Sequence, residues 1–244
     1  MTAIWLFDFD EPVTSTGWPF GSNGLIKDYR KVTGSIHSLG FKALTYLRHF
    51  SFKNLLYYKF DNPMYEMYDS LGVLLHNQAD LSGSRYNKFL DRGQYDFFNP
   101  AMGKIWEDVI REILLVDNFD GWMEDFGDIG YYYDNELNNW NAFDYGLEYP
   151  LSNEEYVNLY SLVYHKLTYL LSDAAKSDVT TFSRSGFAGS APFTRFVWAG
   201  DQHANWRKDV GYPSAIAAGI SIGLSGYIDW VVRPFSVYDA GIPI

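Results

Sequence analysis

Short apolar runs alternate with amphipathic helical patterns along most of this 244-residue chain, and the alternation constrains the fold more than any other feature. Such an alternation is typical of βα units, which build parallel sheets. A chain of this length has the usual size of one β/α barrel. The sequence therefore predicts one α/β barrel domain over residues 1–244. The strand candidates are Thr2–Phe9, Phe41–Leu47, Phe119–Phe126, Val179–Arg184, Phe196–Asp201 and Ile220–Ile228.

Three helices between these strands are marked by the signals at their ends. In the first, apolar residues recur at helical spacing within residues 25–36, and Gly40 is placed to stop the helix. The second follows Asn99–Pro100, a capping residue and then a proline that suits the first helical position. The third opens at Ser152, whose spacing from Glu155 is that of a capping box.

One uncharged stretch, Gly211–Ile228, has almost the length of a membrane span. It is rich in glycine, alanine and serine, contains Pro213, and lies between Asp209 and Asp229. A helix of small residues that runs into a buried strand explains the composition better than a membrane helix does.

The region from residue 48 to residue 98 is rich in tyrosine, asparagine and aspartate and has one short apolar run, Leu71–His76. Long connections in compact α/β domains usually have a function. We interpret this region as an aromatic-rich insertion subdomain after the third barrel strand, near the mouth of the barrel. A flexible surface excursion explains the composition equally well.

The charge balance and the residue counts exclude several classes of function. The 19 basic and 30 acidic side chains give a formal net charge of −11, which argues against a nucleic-acid partner. The chain has no cysteine, so thiolate chemistry and cysteine-bound metals are excluded. The five histidines show no metal-ligand spacing, and no phosphate-binding glycine loop follows a strand. The first ten residues do not form a signal peptide, so we expect a cytoplasmic protein with no membrane partner.

Acidic side chains and an arginine recur where four of the predicted strands end. In a β/α barrel the catalytic groups project from these carboxyl ends. Paired carboxylates there suit glycoside hydrolysis, and the neighbouring aromatic residues suit sugar rings. Each acid taken alone is more commonly a cap or an ion-pair partner, and 19% aromatic residues also suit an ordinary core. The charged set comprises Asp8, Asp10, Glu124, Asp125, Asp128, Arg184 and Asp201, and the aromatic set comprises Trp5, Trp122, Phe126, Phe187 and Trp198.

Three sequence blocks resemble glycoside hydrolase family 31. They are GWMEDFGD at 121–128, SRSGFAGS at 183–190 and WAGDQ at 198–202, in the order that the family has them. The residues of the first and third blocks are similar to those in the branch of the family that contains the sulfoquinovosidases. The resemblance implies a (β/α)8 barrel, of which this chain would hold about strands two to seven, and a retaining α-glycosidase activity that needs no metal or organic cofactor.

The resemblance also implies roles for individual residues. Asp125 corresponds to the catalytic nucleophile and Asp201 to the general acid/base, whereas strand periodicity alone leaves Glu124 and Asp125 equivalent. Asp8 matches an acid that binds sugar hydroxyls, Arg184 an arginine beside the nucleophile, and Trp198 a wall of the pocket.

The physical chemistry of these residues agrees with the implied roles. Arg184 should lower the pKa of Asp125, and a dry flank that includes Trp198 should raise that of Asp201. Retention predicts a separation of about 5–5.5 Å between the carboxyl groups of Asp125 and Asp201.

The sequence also departs from the family pattern. The segment Asp229–Pro234 stands where the family has an Asp-Ile-Gly-Gly block, and no sulfonate-binding segment is evident after Asp8. We therefore expect an α-glucosidase-like enzyme for terminal α-linked sugars, with a sulfoquinovosidase or a truncated, non-catalytic sugar-binding relic as alternatives. An incomplete barrel also predicts that a second copy or further segments close it.

Overall fold

The computed structural model describes the following residues of the chain: 2–6, 28–52, 54–55, 60–61, 63–76, 92–125, 127, 152–176, 178–194, 196–200, 202–203, 205–227 and 229–231. Within them, six strands form one parallel sheet in which each strand pairs with the one that precedes it in the barrel. They are β1 (Ala3–Trp5), β2 (Lys42–Arg48), β8 (Gly121–Asp125), β9 (Thr180–Ser183), β10 (Phe196–Trp198) and β11 (Asp229–Val231). This curled sheet with its helices is an incomplete (β/α)8 barrel, which confirms the predicted fold.

Four helices of 10 or more residues lie among the six barrel strands in the described part of the chain, and their ends follow the local sequence. They are α1 (Tyr29–Ser38), α3 (Pro100–Arg111), α4 (Asn153–Ala175) and α5 (Tyr212–Gly223). Asn99 caps α3 by accepting a hydrogen bond from the Ala101 N–H, and Ser152 and Glu155 form a reciprocal capping box at α4. Both caps confirm the sequence prediction because capping depends on neighbours within a few residues. A π-helical turn, Glu112–Val116, extends α3.

The described residues between β2 and β8 form a small antiparallel sheet, a two-stranded hairpin and one helix. The sheet has the order β3 (Phe50–Phe52), β7 (Arg92–Tyr95) and β6 (Leu74–His76), the hairpin joins β4 (Asn54–Leu55) to β5 (Phe60–Asp61), and the helix is α2 (Pro63–Ser70). Their aromatic residues Tyr65, Tyr68 and Tyr95 are buried in the main core of the molecule. This packing fixes the described part of the segment to the barrel.

Two hydrophobic clusters lie on opposite faces of the parallel sheet because side chains alternate along each strand. The larger cluster fills the layer between the sheet and the helices and includes Leu47, Trp106 and Trp122. The smaller one lies on the face away from the helices, which is the barrel interior, and consists of Tyr46, Met123 and Trp198 with Trp5 and Phe182 packed against them.

The strand predicted at Ile220–Ile228 is wrong in its position. Helix α5 continues to Gly223, a turn with Gly226 at a φ of 94° follows, and the strand is β11. Alternating apolar residues from 220 to 224 imitate a strand, but the proline in the first turn of α5 starts a helix that continues through them. A helix of small residues does lead into a strand, as predicted. Among the helices of the described residues, none is long and apolar enough to cross a membrane.

Candidate active site

Strand β8 ends with two acids whose side chains point to opposite faces of the sheet. Trp122 and Glu124 face the helices, whereas Met123 and Asp125 face the barrel interior. Asp125 is paired in register with Arg48 at the carboxyl end of β2. Of the two neighbouring acids, Asp125 is therefore the one on the face where barrel enzymes carry out their chemistry.

Two side chains from neighbouring strands hold the carboxylate of Asp125. The Tyr46 hydroxyl donates to Oδ2 at 2.7 Å, and Nη1 of Arg184 lies 3.1 Å from Oδ1. Asp125 is only 7% exposed, so both contacts lie in a region with little water. A charge-assisted contact and a hydroxyl donor both stabilise the ionised carboxylate and fix its orientation.

The guanidinium of Arg184 is supported by an aromatic ring. Its Cζ atom lies 5.5 Å from the ring centroid of Trp198, an arrangement that attracts the cation to the ring face. The Trp198 indole N–H donates to the Gly200 carbonyl at 2.9 Å. Gly200 has a φ of 82°, a backbone conformation that residues other than glycine rarely adopt. Trp198 thus fixes both the arginine and the turn that precedes residue 201.

Sequence reasoning missed Tyr46 and Arg48, which lie on the interior face of β2. Burial lowers the pKa of Arg48 to about 10, although the charges of Tyr95 and Asp125 act to raise it. Arg48 is therefore a cation at neutral pH. Its Cζ atom lies 5.3 Å from the ring centroid of Phe50. The signal was present, since residues 44, 46 and 48 alternate along a predicted strand, but the sequence did not say which face points inward.

The structure does not bring Trp122 to the site, and this corrects the expectation that it lines the sugar pocket. Trp122 is completely buried in the layer between the sheet and the helices, where its indole N–H donates to Glu124 Oε1 at 3.2 Å. Strand alternation is the reason, because Trp122 is an odd number of residues from Asp125. Trp5 lies on the interior face and contacts Phe182 edge-on, while Phe187 is 37% exposed.

Several predicted site residues lie outside the described residues, namely Asp8, Asp10, Phe126, Asp128 and Asp201. The predicted separation between the carboxyl groups of Asp125 and Asp201 therefore stays a prediction, as do the roles assigned to Asp8 and Phe126. Within the described ranges, no group of three histidine, aspartate or glutamate side chains is placed to hold a metal ion.

These features define a class of protein, an incomplete (β/α)8 barrel with a buried carboxylate–arginine pair at the carboxyl ends of its parallel strands. Barrel enzymes place their active sites at this edge. Residues 22–232 match the TIM-barrel domain of glycosyl hydrolases family 31, which is most of the chain. The chain belongs to glycosyl hydrolase family 31.

Two curated relatives are similar to part of the chain. The sulfoquinovosidase of Escherichia coli (strain K12) is 28% identical over 137 residues, which are 55% of this chain and 19% of that protein. The sulfoquinovosidase of Agrobacterium fabrum (strain C58) is 28% identical over 171 residues, which are 68% of this chain and 24% of that protein. The matches thus span about a fifth to a quarter of the length of these relatives.

Solved structures show the same fold. A GH31 family sulfoquinovosidase from E. rectale, in complex with an aza-sugar inhibitor, has a TM-score of 0.72 at 25% identity and covers 97% of this chain and 35% of its own. The GH31 α-xylosidase from Xanthomonas citri has a TM-score of 0.71 at 20% identity and covers 95% of this chain and 24% of its own. The second likeness concerns the fold alone.

Proposed function

We propose that the chain hydrolyses terminal α-glycosidic bonds with retention of configuration and that Asp125 is the nucleophile. The observation that carries the proposal is the carboxylate of Asp125, which is held by the Tyr46 hydroxyl and the Arg184 guanidinium at the carboxyl edge of the sheet. A nucleophilic carboxylate must be ionised and must keep one orientation. The two contacts serve both needs, and membership of family 31 supports the assignment.

The reaction would proceed by double displacement. Asp125 attacks the anomeric carbon while Asp201 protonates the leaving oxygen, which gives a covalent glycosyl-aspartate. Asp201 then takes a proton from water, the water attacks the anomeric carbon, and Asp125 leaves as a carboxylate. Arg184 and Tyr46 stabilise Asp125 in its charged states before attack and after release. Asp8 would bind sugar hydroxyls at the floor of the pocket.

A neutral α-glucoside is the first substrate class that we propose. The support comes from the sequence, because no sulfonate-binding segment is evident after Asp8. The second candidate is an α-linked sulfoquinovoside, and a specific observation favours it: both curated relatives described above are sulfoquinovosidases. Arg48 adds a cation at this edge of the sheet, and a cation suits an anionic substituent.

A third possibility is that the chain binds carbohydrate without turning it over. The sequence supports it, because the segment Asp229–Pro234 stands where the family has an Asp-Ile-Gly-Gly block. Under either reading the partner is a carbohydrate. Among the described residues the edge strands of the parallel sheet are β1 and β11, and we propose that a second copy or further segments cover them.

Covalent trapping tests the proposal directly. The full chain is incubated with fluorinated α-glucosyl and α-sulfoquinovosyl donors, which form the glycosyl-enzyme quickly and hydrolyse slowly. Intact mass and peptide mapping should show one adduct on the peptide that contains Asp125, and the donor that labels faster identifies the substrate class.

Two variants serve as references in the trapping experiment. Asp125→Ala should remain unlabelled, whereas Asp108→Asn, which removes an exposed carboxylate on α3, should be labelled like the parent. An adduct on another residue, or a labelled Asp125→Ala protein, would exclude Asp125 as the nucleophile. A folded parent that binds the donors but is never labelled would favour the non-catalytic reading.

A further inference from the structure

One side chain of helix α4 contacts both neighbours of the site arginine from behind the sheet. The hydroxyl of Tyr164, which is completely buried, lies 2.7 Å from Oγ of Ser183 and 2.7 Å from Oγ of Ser185. These serines precede and follow Arg184. Because side chains alternate along a strand, Arg184 points the other way, toward Asp125. A single hydroxyl therefore joins both residues that flank the arginine to the helix.

The same helix also contacts the residues around the nucleophile. A Cβ atom added at Gly127 would lie 2.5 Å from Cε1 and 2.6 Å from the hydroxyl oxygen of Tyr164, so the backbone there packs directly on the tyrosine. The next residue on the helix, His165, has Nε2 at 3.2 Å from Oε2 of Glu124, which precedes Asp125. The distance is that of an ion pair, although the ring is not aligned for a hydrogen bond.

We propose that Tyr164 is a positioning residue, and that its hydroxyl, through Ser183 and Ser185, sets the angle at which Arg184 meets Asp125. The inference rests on the proposed role of Asp125 as nucleophile. A tyrosine hydroxyl donates one hydrogen bond and accepts others, so it can donate to one serine and accept from the other. Reactions that need an aligned nucleophile lose rate steeply when the reacting group shifts by as little as an ångström.

The helix also supplies a matched reference tyrosine one turn earlier. Tyr160 is buried to a similar degree, and its hydroxyl donates to the Tyr95 carbonyl at 2.8 Å. That carbonyl belongs to the antiparallel sheet and not to a residue that flanks Asp125 or Arg184. Tyr160→Phe and Tyr164→Phe each remove one buried hydroxyl from the same helix, so a general loss of stability affects both variants alike.

The first test separates positioning from stability. The limiting rate of labelling and the half-saturating concentration of a fluorinated α-glycosyl donor are measured for the parent and for both variants. Tyr164→Phe should lower the limiting rate by about tenfold with little change in half-saturation, the scale of one misplaced contact at a reacting group. Both variants should lower the urea midpoint by similar amounts, because each loses one buried hydroxyl. Tyr160→Phe should leave the limiting rate within about twofold of the parent rate. Equal rates for both variants would overturn the proposal.

The second test does not depend on labelling. Each tyrosine variant is combined with Arg184→Gln, and the shifts in urea midpoint are compared with the sums of the single shifts. Residues that are coupled through a shared shift of the backbone give non-additive shifts, whereas separated residues give additive ones. Tyr164→Phe should be non-additive with Arg184→Gln, and Tyr160→Phe should be additive. Additivity for both pairs would overturn the positioning role, while failure to label the parent would count against Asp125 as nucleophile and leave this result standing.

Discussion

The two ends of strand β8 each carry a buried carboxylate, and the two groups have different surroundings. Asp120, just before the strand, is contacted by His37 Nε2 at 2.7 Å, Lys42 Nζ at 2.9 Å, Lys176 Nζ at 3.4 Å and the Ala43 N–H at 3.0 Å. These partners come from α1, from β2 and from the residue that follows α4. Asp120 therefore ties three elements of the barrel together.

Asp125, at the other end of the strand, is contacted by Tyr46 and Arg184, whose side chains face the barrel interior with it. In β/α barrels the amino-terminal face carries residues for stability and the carboxyl-terminal face carries residues for chemistry. The two carboxylates at the ends of β8 thus show that charge pairing alone does not identify a functional acid. The end of the strand on which the pair lies, and the elements that its partners join, distinguish the two cases.

Removal of the carboxylate at the carboxyl end should have the largest effect on activity. Asp125→Asn is expected to lower turnover of an α-glycoside by about 10⁴-fold or more, the scale of losing a nucleophile from a hydrolase. The unfolding free energy should fall by only about 1 kcal/mol, because the amide oxygen still accepts from Tyr46 while the partly exposed Arg184 loses one charged partner. Initial rates and urea unfolding measure the two effects. Turnover near the parent level would show that Asp125 is not the functional acid of the two.

Removal of the carboxylate at the amino end should affect stability instead. Asp120→Asn leaves Lys42 and Lys176 close together without the acid between them, and we expect a loss of about 2–3 kcal/mol in unfolding free energy. Turnover per folded molecule should stay within about threefold of the parent value, because Asp120 is at the far end of the strand from the site. Urea unfolding checks the first expectation and active-site titration the second.

The same residue predicts a pH dependence. Burial alone would raise the pKa of Asp120, but hydrogen bonds from Ala43, Lys42 and His37 lower it to about 2. Since an aspartate in the unfolded chain titrates near pH 4, the stabilisation is complete above that pH and disappears as the pH falls toward 2. The difference in urea midpoint between parent and Asp120→Asn should shrink over this interval. A difference that stays constant down to pH 2 would contradict the assignment.

Loss of the hydroxyl beside the nucleophile should have an intermediate effect. Tyr46→Phe removes the donor to Asp125 Oδ2 and keeps the ring in the interior cluster. We expect turnover to fall by about tenfold, which corresponds to about 1.4 kcal/mol of lost transition-state stabilisation. The reference variant is Tyr68→Phe, which removes a buried hydroxyl from α2 and should leave turnover unchanged.

The smallest expected effect concerns Asp117, a second acid that precedes β8, whose pKa is raised where that of Asp120 is lowered. Burial, with repulsion from Glu112 and Asp28, raises the pKa of Asp117 to about 6. An acid with a raised pKa costs stability when it is ionised, so the cost grows between about pH 4 and 6. Asp117→Asn should raise the unfolding free energy at pH 7 by about 1 kcal/mol, because partial exposure screens the repulsion, and should have no effect at pH 4. A loss of stability at pH 7 would contradict the sign.

The elements that depend on near neighbours could be predicted from the sequence. The caps of α3 and α4 and the positions of β2, β8, β9 and β10 follow from residues within a few positions of each other. The contact between Arg184 and Asp125 was implied by the resemblance to family 31, and the structure has the two groups 3.1 Å apart. Parallel pairing of β8 with β9 brings their carboxyl ends to the same edge, so this contact follows from the fold.

The features that depend on direction or on distant partners could not be predicted. Strand alternation groups Tyr46 with Arg48, and Trp122 with Glu124, but it does not say which group faces the barrel interior. Tertiary packing decides this, because the large core on the helix side takes Trp122. The cluster around Asp120 was missed for a related reason, since its partners lie 56 to 83 residues away in the sequence.

The order of strands in the sheet has a consequence for synthesis on the ribosome. Each barrel strand pairs with the previous one, so every new βα unit meets a partner that has already emerged. The longest spacer between paired barrel strands separates β2 from β8 and contains the antiparallel sheet. Loop closure costs more for longer spacers, so we expect β8, the strand that bears Asp125, to be the slowest barrel strand to pair. Until β8 pairs, the nascent chain exposes the edge of β2. An exposed strand edge can pair with another chain, so chaperones would need to cover it during translation.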